Sequence, residues 1–327
     1  MISLDNKIFN PSSAVARRMI QYGEKKVLYI IAPYFKKEII SLSPTVTIKG
    51  SGGSNKISQL WRLYGVGEQT LKEYKVDIIS AQDPFFIGLV GLGLKKQFKL
   101  RLEIQMHGDF YGSKYYRTNG LKNRLQYYLG KYIVRRADRI RVVGQRIKKS
   151  LIPLGVPEEK IVIRPVALDV ERLTRDGMTG GLQERYPGFE KIFLALNRLD
   201  PVKNIPWLLV VFKQVLESQP KAALVIVGDG PQKKRLLADI SRLQLQKNVF
   251  MEPFIANPAQ YLKTADAVVF PSLSEGYGLV PMEAAALGTP VIMSDVGVAN
   301  YELQPSEKVT ILPVNDVDGF KKAMLAI

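Results

Sequence analysis

Short apolar runs alternate along the chain with longer stretches in which apolar positions recur every three or four residues. The runs at 2–4, 27–31 (VLYII), 46–48, 76–80 (VDIIS), 100–106 (LRLEIQM) and 139–143 predict strands. So do 192–196, 222–227 (AALVIV), 249–252, 267–270 (AVVF) and 291–293. Between them, 14–22, 57–74, 85–95 and 121–136 carry the helical period, and 207–218, 231–243, 257–263 and 319–327 carry it again. Strand and helix in alternation predict parallel sheets covered on both faces. The rhythm breaks at 166–190, where Gly177, Gly180, Gly181, Pro187 and Gly188 cluster. That stretch reads as a linker between a domain at 1–165 and a second at 191–327, an α/β chain of two doubly wound domains with an interdomain cleft.

The most informative stretch is 271–290, PSLSEGYGLVPMEAAALGTP. It follows the strand 267–270 and contains a loop with Gly276 and Gly278. Pro281 is expected at the first position of a helix, where its missing N–H is harmless. Gly288 is placed to close that helix in a left-handed conformation. Strand, glycine loop and helix N-terminus make a phosphate site of free N–H groups and a favourable dipole. Glu275 and Glu283 frame it. A carboxylate is repelled by phosphate but accepts hydrogen bonds from hydroxyl groups, so the pair fits the sugars at either end of a nucleotide sugar. The plainer reading leaves Glu283 as a dipole cap and Glu275 as a solvated loop residue. Arg198 and Lys203 fall just after the strand 192–196, at the carboxyl end where ligands of such sheets bind. Two cations there would neutralise a diphosphate leaving group, although surface salt bridges look the same in sequence.

Composition narrows the chemistry. The 327 residues contain no cysteine, which excludes disulfides, thiolate metal sites and cysteine nucleophiles. The single histidine, His107, excludes a multi-histidine metal centre. The opening MISLDNKIF does not read as a signal peptide, and the longest apolar run, 85–94, is half the roughly 20 residues a span needs. A cytoplasmic protein is therefore expected. Residues 1–165 hold 30 Lys and Arg against 12 Asp and Glu, so the whole net charge of +17 resides in the first half. Such a surface suits nucleic acid, an anionic bilayer or an anionic substrate, or is merely solvated.

Taken in order, NRLDPVKN (197–204), VGDGP (227–231) and EGYGLVPME (275–283) followed by AAALGTPVI resemble the retaining glycosyltransferases of family 4, which have the GT-B fold. Weaker matches are AQDP (81–84), QMHGD (105–109) and VIRPVALDVERL (162–173). The resemblance implies transfer of a hexosyl group from a nucleotide-diphosphate sugar to a glycan or lipid-linked acceptor, as in cell-surface polysaccharide or glycolipid synthesis. It implies that Arg198 and Lys203 hold the diphosphate, and that main-chain groups of Gly278, Leu279 and Val280 touch phosphate and sugar. Glu283 would bind ribose, Glu275 and His107 would sit at the transferred sugar, and Phe254 and Ile255 would line the base pocket. Asp109, Ser12 and Ser13 fall on the acceptor side. No cofactor or metal is implied; the D-x-D at Asp316 and Asp318 reads as a turn.

Two departures stand out. The first loop, 5–13, lacks the family's glycines. The chain also stops at Ile327, inside the helix expected at 319–327, so the second domain is expected to be cut short. Basic and aromatic residues interleave over 114–149, with Tyr115, Tyr116, Tyr127, Tyr128 and Tyr132 among them. They fit peripheral docking at the inner face of the plasma membrane equally with core packing. Another GT-B enzyme, such as an epimerase or phosphorylase, is disfavoured by E-x7-E with Arg198 and Lys203. A nucleic-acid-binding protein is disfavoured because no P-loop or nucleic-acid motif occurs.

Overall fold

The computed structural model describes residues 1–118, 120–168, 173, 180–255 and 257–327. Part of the expected linker, 166–190, and of the match at 162–173 lies outside these. The chain forms two compact units, Met1–Val143 with Ile147–Arg164, and Gly144–Arg146 with Pro165–Ile327.

In the first unit β1 (Leu28–Ala32), β2 (Ile39–Ser43) and β3 (Val46–Gly50) pair in the order β1-β3-β2. β4 (Ile78–Ala81), β5 (Arg101–Met106), β6 (Arg139–Val142) and β7 (Ile161–Ile163) pair in sequence order. The expected strand at 2–4 is a single-residue bridge that joins the two groups: Ile2 pairs in parallel with both Ile31 and Ala81. Edge strand β2, antiparallel to β3, escaped the sequence pattern because its exposure alternates only weakly. α1 (Ala14–Gly23) is capped by Ser13 and α2 (Lys56–Glu73) by a reciprocal capping box of Asn55 and Ser58. α3 (Phe86–Phe98), α4 (Lys114–Thr118) and α5 (Gly120–Val134) follow, with α6 (Gln145–Leu151) after β6.

β5 and β6 show why this unit is built from two unlike faces. Leu102, Ile104, Met106, Ile140 and Val142 are fully buried, on the strand face packed by α3. The alternate residues Glu103, Gln105, Arg139 and Arg141 point the other way, because side chains change faces at every residue.

The second unit is a six-stranded parallel sheet, all of whose interior strands are covered on both sides. β8 (Lys191–Leu196), β9 (Ala222–Val227), β10 (Val249–Glu252), β11 (Ala267–Phe270), β12 (Val291–Ser294) and β13 (Val309–Leu312) lie in the order β10-β9-β8-β11-β12-β13. Alternate residues of one strand enter opposite cores. Phe193, Leu224, Ile226 and Val269 pack with the helices Ile205–Leu216, Lys233–Arg242 and Val317–Leu325. Leu194, Val225, Val227 and Val268 pack with Ala259–Thr264 and Leu279–Ala286. A strand buried on both faces must be apolar throughout, which is why AALVIV carries no polar residue. The order places β8 and β11 side by side at the centre, so their following loops are neighbours.

Phe212 is fully buried in the first of these cores. Phe212→Ala should lower the stability of this unit by about 3–5 kcal/mol, read from denaturant unfolding.

Candidate functional site

The loops after β8, β9, β11 and β12 converge at the carboxyl ends of the second sheet. The first two are laced by main-chain bonds. Asn197 N donates to Val227 O (3.1 Å), Leu199 N to Asp229 O (2.9 Å) and Gln232 N to Leu199 O (3.0 Å). This close approach requires glycine. A Cβ on Gly228 would stand 1.9 Å from Asn197 O, and Gly228 has φ +148°. A Cβ on Gly230 would stand 2.7 Å from Leu199 O. The loop after β8 then turns through a 3-10 helix, Pro201–Lys203, which Asn204 closes in the left-handed region. Leu273 N donates to Val202 O (2.8 Å), so the loop after β11 is tied to the same turn.

These ties deliver Lys203 to Glu275. Their side chains form an ion pair in which both are mostly buried, at 17% and 14% exposure. The Lys203 ammonium also lies 5.3 Å from the Phe270 ring centroid. Arg198 stays 73% exposed and pairs with its neighbour Asp200 at 2.9 Å. The expected cation pair is thus one inward group and one outward group.

The helix Leu279–Ala286 starts beside them. Gly278, at φ +108°, precedes its first residue, no side chain caps it, and no acid lies in its first turn. Its leading amides, including those of Leu279 and Val280, have no partner along the helix. Two expectations are corrected. Pro281 is the third helical residue, not the first, because the left-handed Gly278 lets the helix start earlier. Glu283 is therefore the fifth residue, one turn inside, where the dipole effect has faded. Gly288 does adopt the left-handed conformation expected of it, at φ +77°.

Sequence reasoning missed several groups here. The side chains of Asn197, Ser272, Ser274 and Ser294 hold buried polar atoms with no partner among the described residues. Such atoms are few in folded proteins, and a bound molecule or water would supply their partners. Gly297 was missed too: a Cβ there would stand 2.0 Å from Tyr277 O, which accepts the Val298 amide at 2.7 Å. Only the serine-rich spacing of PSLS offered a signal. Phe254 is 74% exposed after β10. Asp316 caps the helix Val317–Leu325 by accepting from Gly319 N at 2.9 Å, so its D-x-D is a helix start, not the turn expected. Among the described residues no three His, Asp or Glu side chains gather as a metal site.

The other expected residues belong to the first unit. His107 directly follows β5 and is exposed. Partial desolvation, then the charges of Arg141 and Arg18, hold its imidazole below the usual histidine range, so the ring is neutral at pH 7. Asp109 is 5% exposed and accepts from Gly112 N at 2.8 Å, which shapes its own turn. Ser12 binds Asn10, and Ser13 accepts from Ala16 N to cap α1. On α5, Leu121, Leu125, Tyr128 and Tyr132 are 81%, 71%, 64% and 43% exposed. Their spacing of four, three and four puts them on one helical stripe, with Lys122, Arg124 and Lys131 on the same helix. Tyr127, by contrast, packs edge-on against buried Tyr111. No described helix is long and apolar enough to cross a membrane.

Two Rossmann-like units of this kind are the architecture of the GT-B class. A sucrose-phosphate synthase from Thermosynechococcus elongatus superposes over 100% of this chain and 88% of its own, with a TM-score of 0.80 at 21% identity. Anabaena HepE, solved with UDP-glucose, superposes over 99% and 88%, with a TM-score of 0.73 at 18% identity. Residues 183–327 match the model of glycosyl transferases group 1, and residues 33–172 that of glycosyltransferase family 4. An alpha-monoglucosyldiacylglycerol synthase of Streptococcus pneumoniae is 30% identical over 71% of this chain and 55% of its own length. The chain belongs to the family 4, group 1 glycosyltransferases. It spans about half the length of the curated relatives it matches.

His107 binds its proton more weakly folded than unfolded. On acidification the unfolded chain therefore protonates first, and this residue costs stability as pH falls through about 6.5 and has no effect above it. The single imidazole signal should titrate with a midpoint below about 6.5, and Arg141→Gln should raise that midpoint in an NMR titration.

Proposed function

We propose that this protein is a retaining hexosyltransferase that takes its sugar from a nucleotide diphosphate, a UDP-sugar foremost, and passes it to a glycan or lipid-linked acceptor. The observation that carries this reading is the Lys203–Glu275 pair at the adjoining ends of β8 and β11, beside the uncapped helix Leu279–Ala286. A cation and a row of free amides are what a departing diphosphate needs. The relatives agree in kind: HepE was solved with UDP-glucose, and the pneumococcal relative is named for a glucosylated diacylglycerol.

In this reading Lys203 and the amides of Leu279 and Val280 hold the diphosphate, with Gly278 admitting it closely. Arg198, already outward, closes over it from solvent. Glu283 accepts from ribose hydroxyls. Glu275 accepts from hydroxyls of the transferred sugar, and neutral His107 can accept or donate a hydrogen bond without adding charge. The anomeric carbon–oxygen bond to phosphate breaks as the bond to the acceptor oxygen forms on the same face. The acceptor's proton passes to the departing phosphate oxygen. The protein's contribution is charge stabilisation and placement. Asp109, Ser12 and Ser13 would act indirectly on the acceptor side, through the turns they shape. Phe254 offers an apolar surface to the base.

The α5 stripe supports a peripheral membrane location. Its exposed leucines and tyrosines between cations suit the interface of an anionic bilayer.

Among UDP-, GDP- and ADP-sugars, the UDP-sugar should give the largest thermal shift. Lys203→Ala and Glu275→Ala should each lower kcat/KM of transfer by about 100-fold, the usual effect of deleting one such group; unchanged transfer would rule out their roles. Flotation should recover more protein with vesicles containing anionic lipid than with neutral ones, and Leu121→Asp with Leu125→Asp should remove the difference. Equal recovery on both vesicle types would reject the membrane reading.

A further inference from the structure

The first unit holds a cavity of about 810 Å³ whose wall includes Arg18, Arg139, Arg141, Glu103, Gln105 and His107. It lies over the polar face of β5 and β6, the face that a fully covered parallel strand would make apolar. Lys26, Lys75 and Asp77 bring further charges of both signs to the wall. Glu103 is accounted for: Arg139 Nε lies at 3.4 Å and the hydroxyl of Ser80 donates to it at 3.0 Å. Asp5, also on the wall, accepts from the amide of Lys7.

Arg18 and Arg141 are different. Neither side chain has a hydrogen bond or ion pair with any described residue, and the Nε of Arg141 is buried without a partner. Both stand near enough to His107 to disfavour its proton. Arg18 is exposed and Arg141 half-buried, and two like charges on one cavity wall repel each other less when an anion lies between them. A guanidinium offers forked donors that match a phosphate or carboxylate oxygen pair. A neutral sugar hydroxyl would satisfy neither charge.

We propose that Arg18, Arg141 and His107 form an oxyanion subsite in the first unit that takes a phosphate group of the acceptor. Only the word acceptor rests on the transferase reading; the anion site stands on the first unit alone. The shared chemistry is a phosphate ester, carried either by a soluble molecule or by a lipid headgroup.

The lone histidine makes the test direct. Protein labelled at the histidine ring is titrated with inorganic phosphate, and separately with sodium chloride at matched ionic strength. Phosphate should move the His107 signal saturably and raise its pKa, because the added negative charge offsets the two arginines. Arg18→Gln and Arg141→Gln should each weaken phosphate binding by about tenfold or more, as expected for the loss of a charge-assisted hydrogen bond. Arg18 is at the surface, so its variant serves even if Arg141→Gln unfolds. Two further arms separate the sources. Glycerol 3-phosphate acting like phosphate assigns a soluble ester, whereas a response confined to vesicles with phosphatidic acid assigns a lipid. The proposal is overturned if phosphate moves the signal no more than chloride does, or if both variants respond like the parent. The thermal shift with UDP-sugar reads the other unit and should be unchanged in both variants, so failure here and failure of the donor assignment are told apart.

Discussion

The carbonyl oxygen of Asn197 occupies the space where residue 228 would carry a side chain. From that one contact the geometry of the loops at the carboxyl ends of the second sheet follows. Because Gly228 and Gly230 yield, the loops after β8 and β9 can exchange main-chain hydrogen bonds, and the turn Pro201–Lys203 is held at a fixed height above the sheet. Because Val202 then accepts from Leu273, the loop after β11 is held at the same height. Lys203 and Glu275, 72 residues apart, meet only as a result. The chemistry of the site belongs to charged side chains, but their positions are set by backbone atoms that need a residue with no side chain at all.

The first unit follows another rule. Its sheet has one apolar face and one face of Glu103, Gln105, Arg139 and Arg141. One acid on that face is matched, while two guanidinium groups near His107 are not. The basic excess of this half is therefore not uniform surface charge. Part of it lines a cavity, and part flanks an exposed apolar stripe on α5.

Much of this was legible in the residues. Runs such as AALVIV and AVVF read as buried strands, and Gly288 was placed to end a helix. Glu275 and Lys203 were identifiable from their places in EGYGLVPME and NRLDPVKN, in the loops that follow the strands 267–270 and 192–196. Other features were not legible. β2 and β7 are short edge strands with weak alternation, and neither stands out from a loop. The start of Leu279–Ala286 depended on Gly278 adopting a positive φ, which a sequence permits and does not require. The orphaned polar atoms of Asn197, Ser272 and Ser294 depend on what surrounds them, and so do the unmatched charges of Arg18 and Arg141.

The buried pairing of Lys203 with Glu275 carries one more implication. A phosphate bound as proposed would meet not a vacant cation but one that a carboxylate already holds. Ligand capture there would be an anion exchange, its affinity the difference between two attractions. Removing the carboxylate charge alone, as in Glu275→Gln, would then tighten the hold on the spent nucleotide while spoiling turnover. The acid beside the lysine would thus help the enzyme let go of its product, as well as touch its sugar.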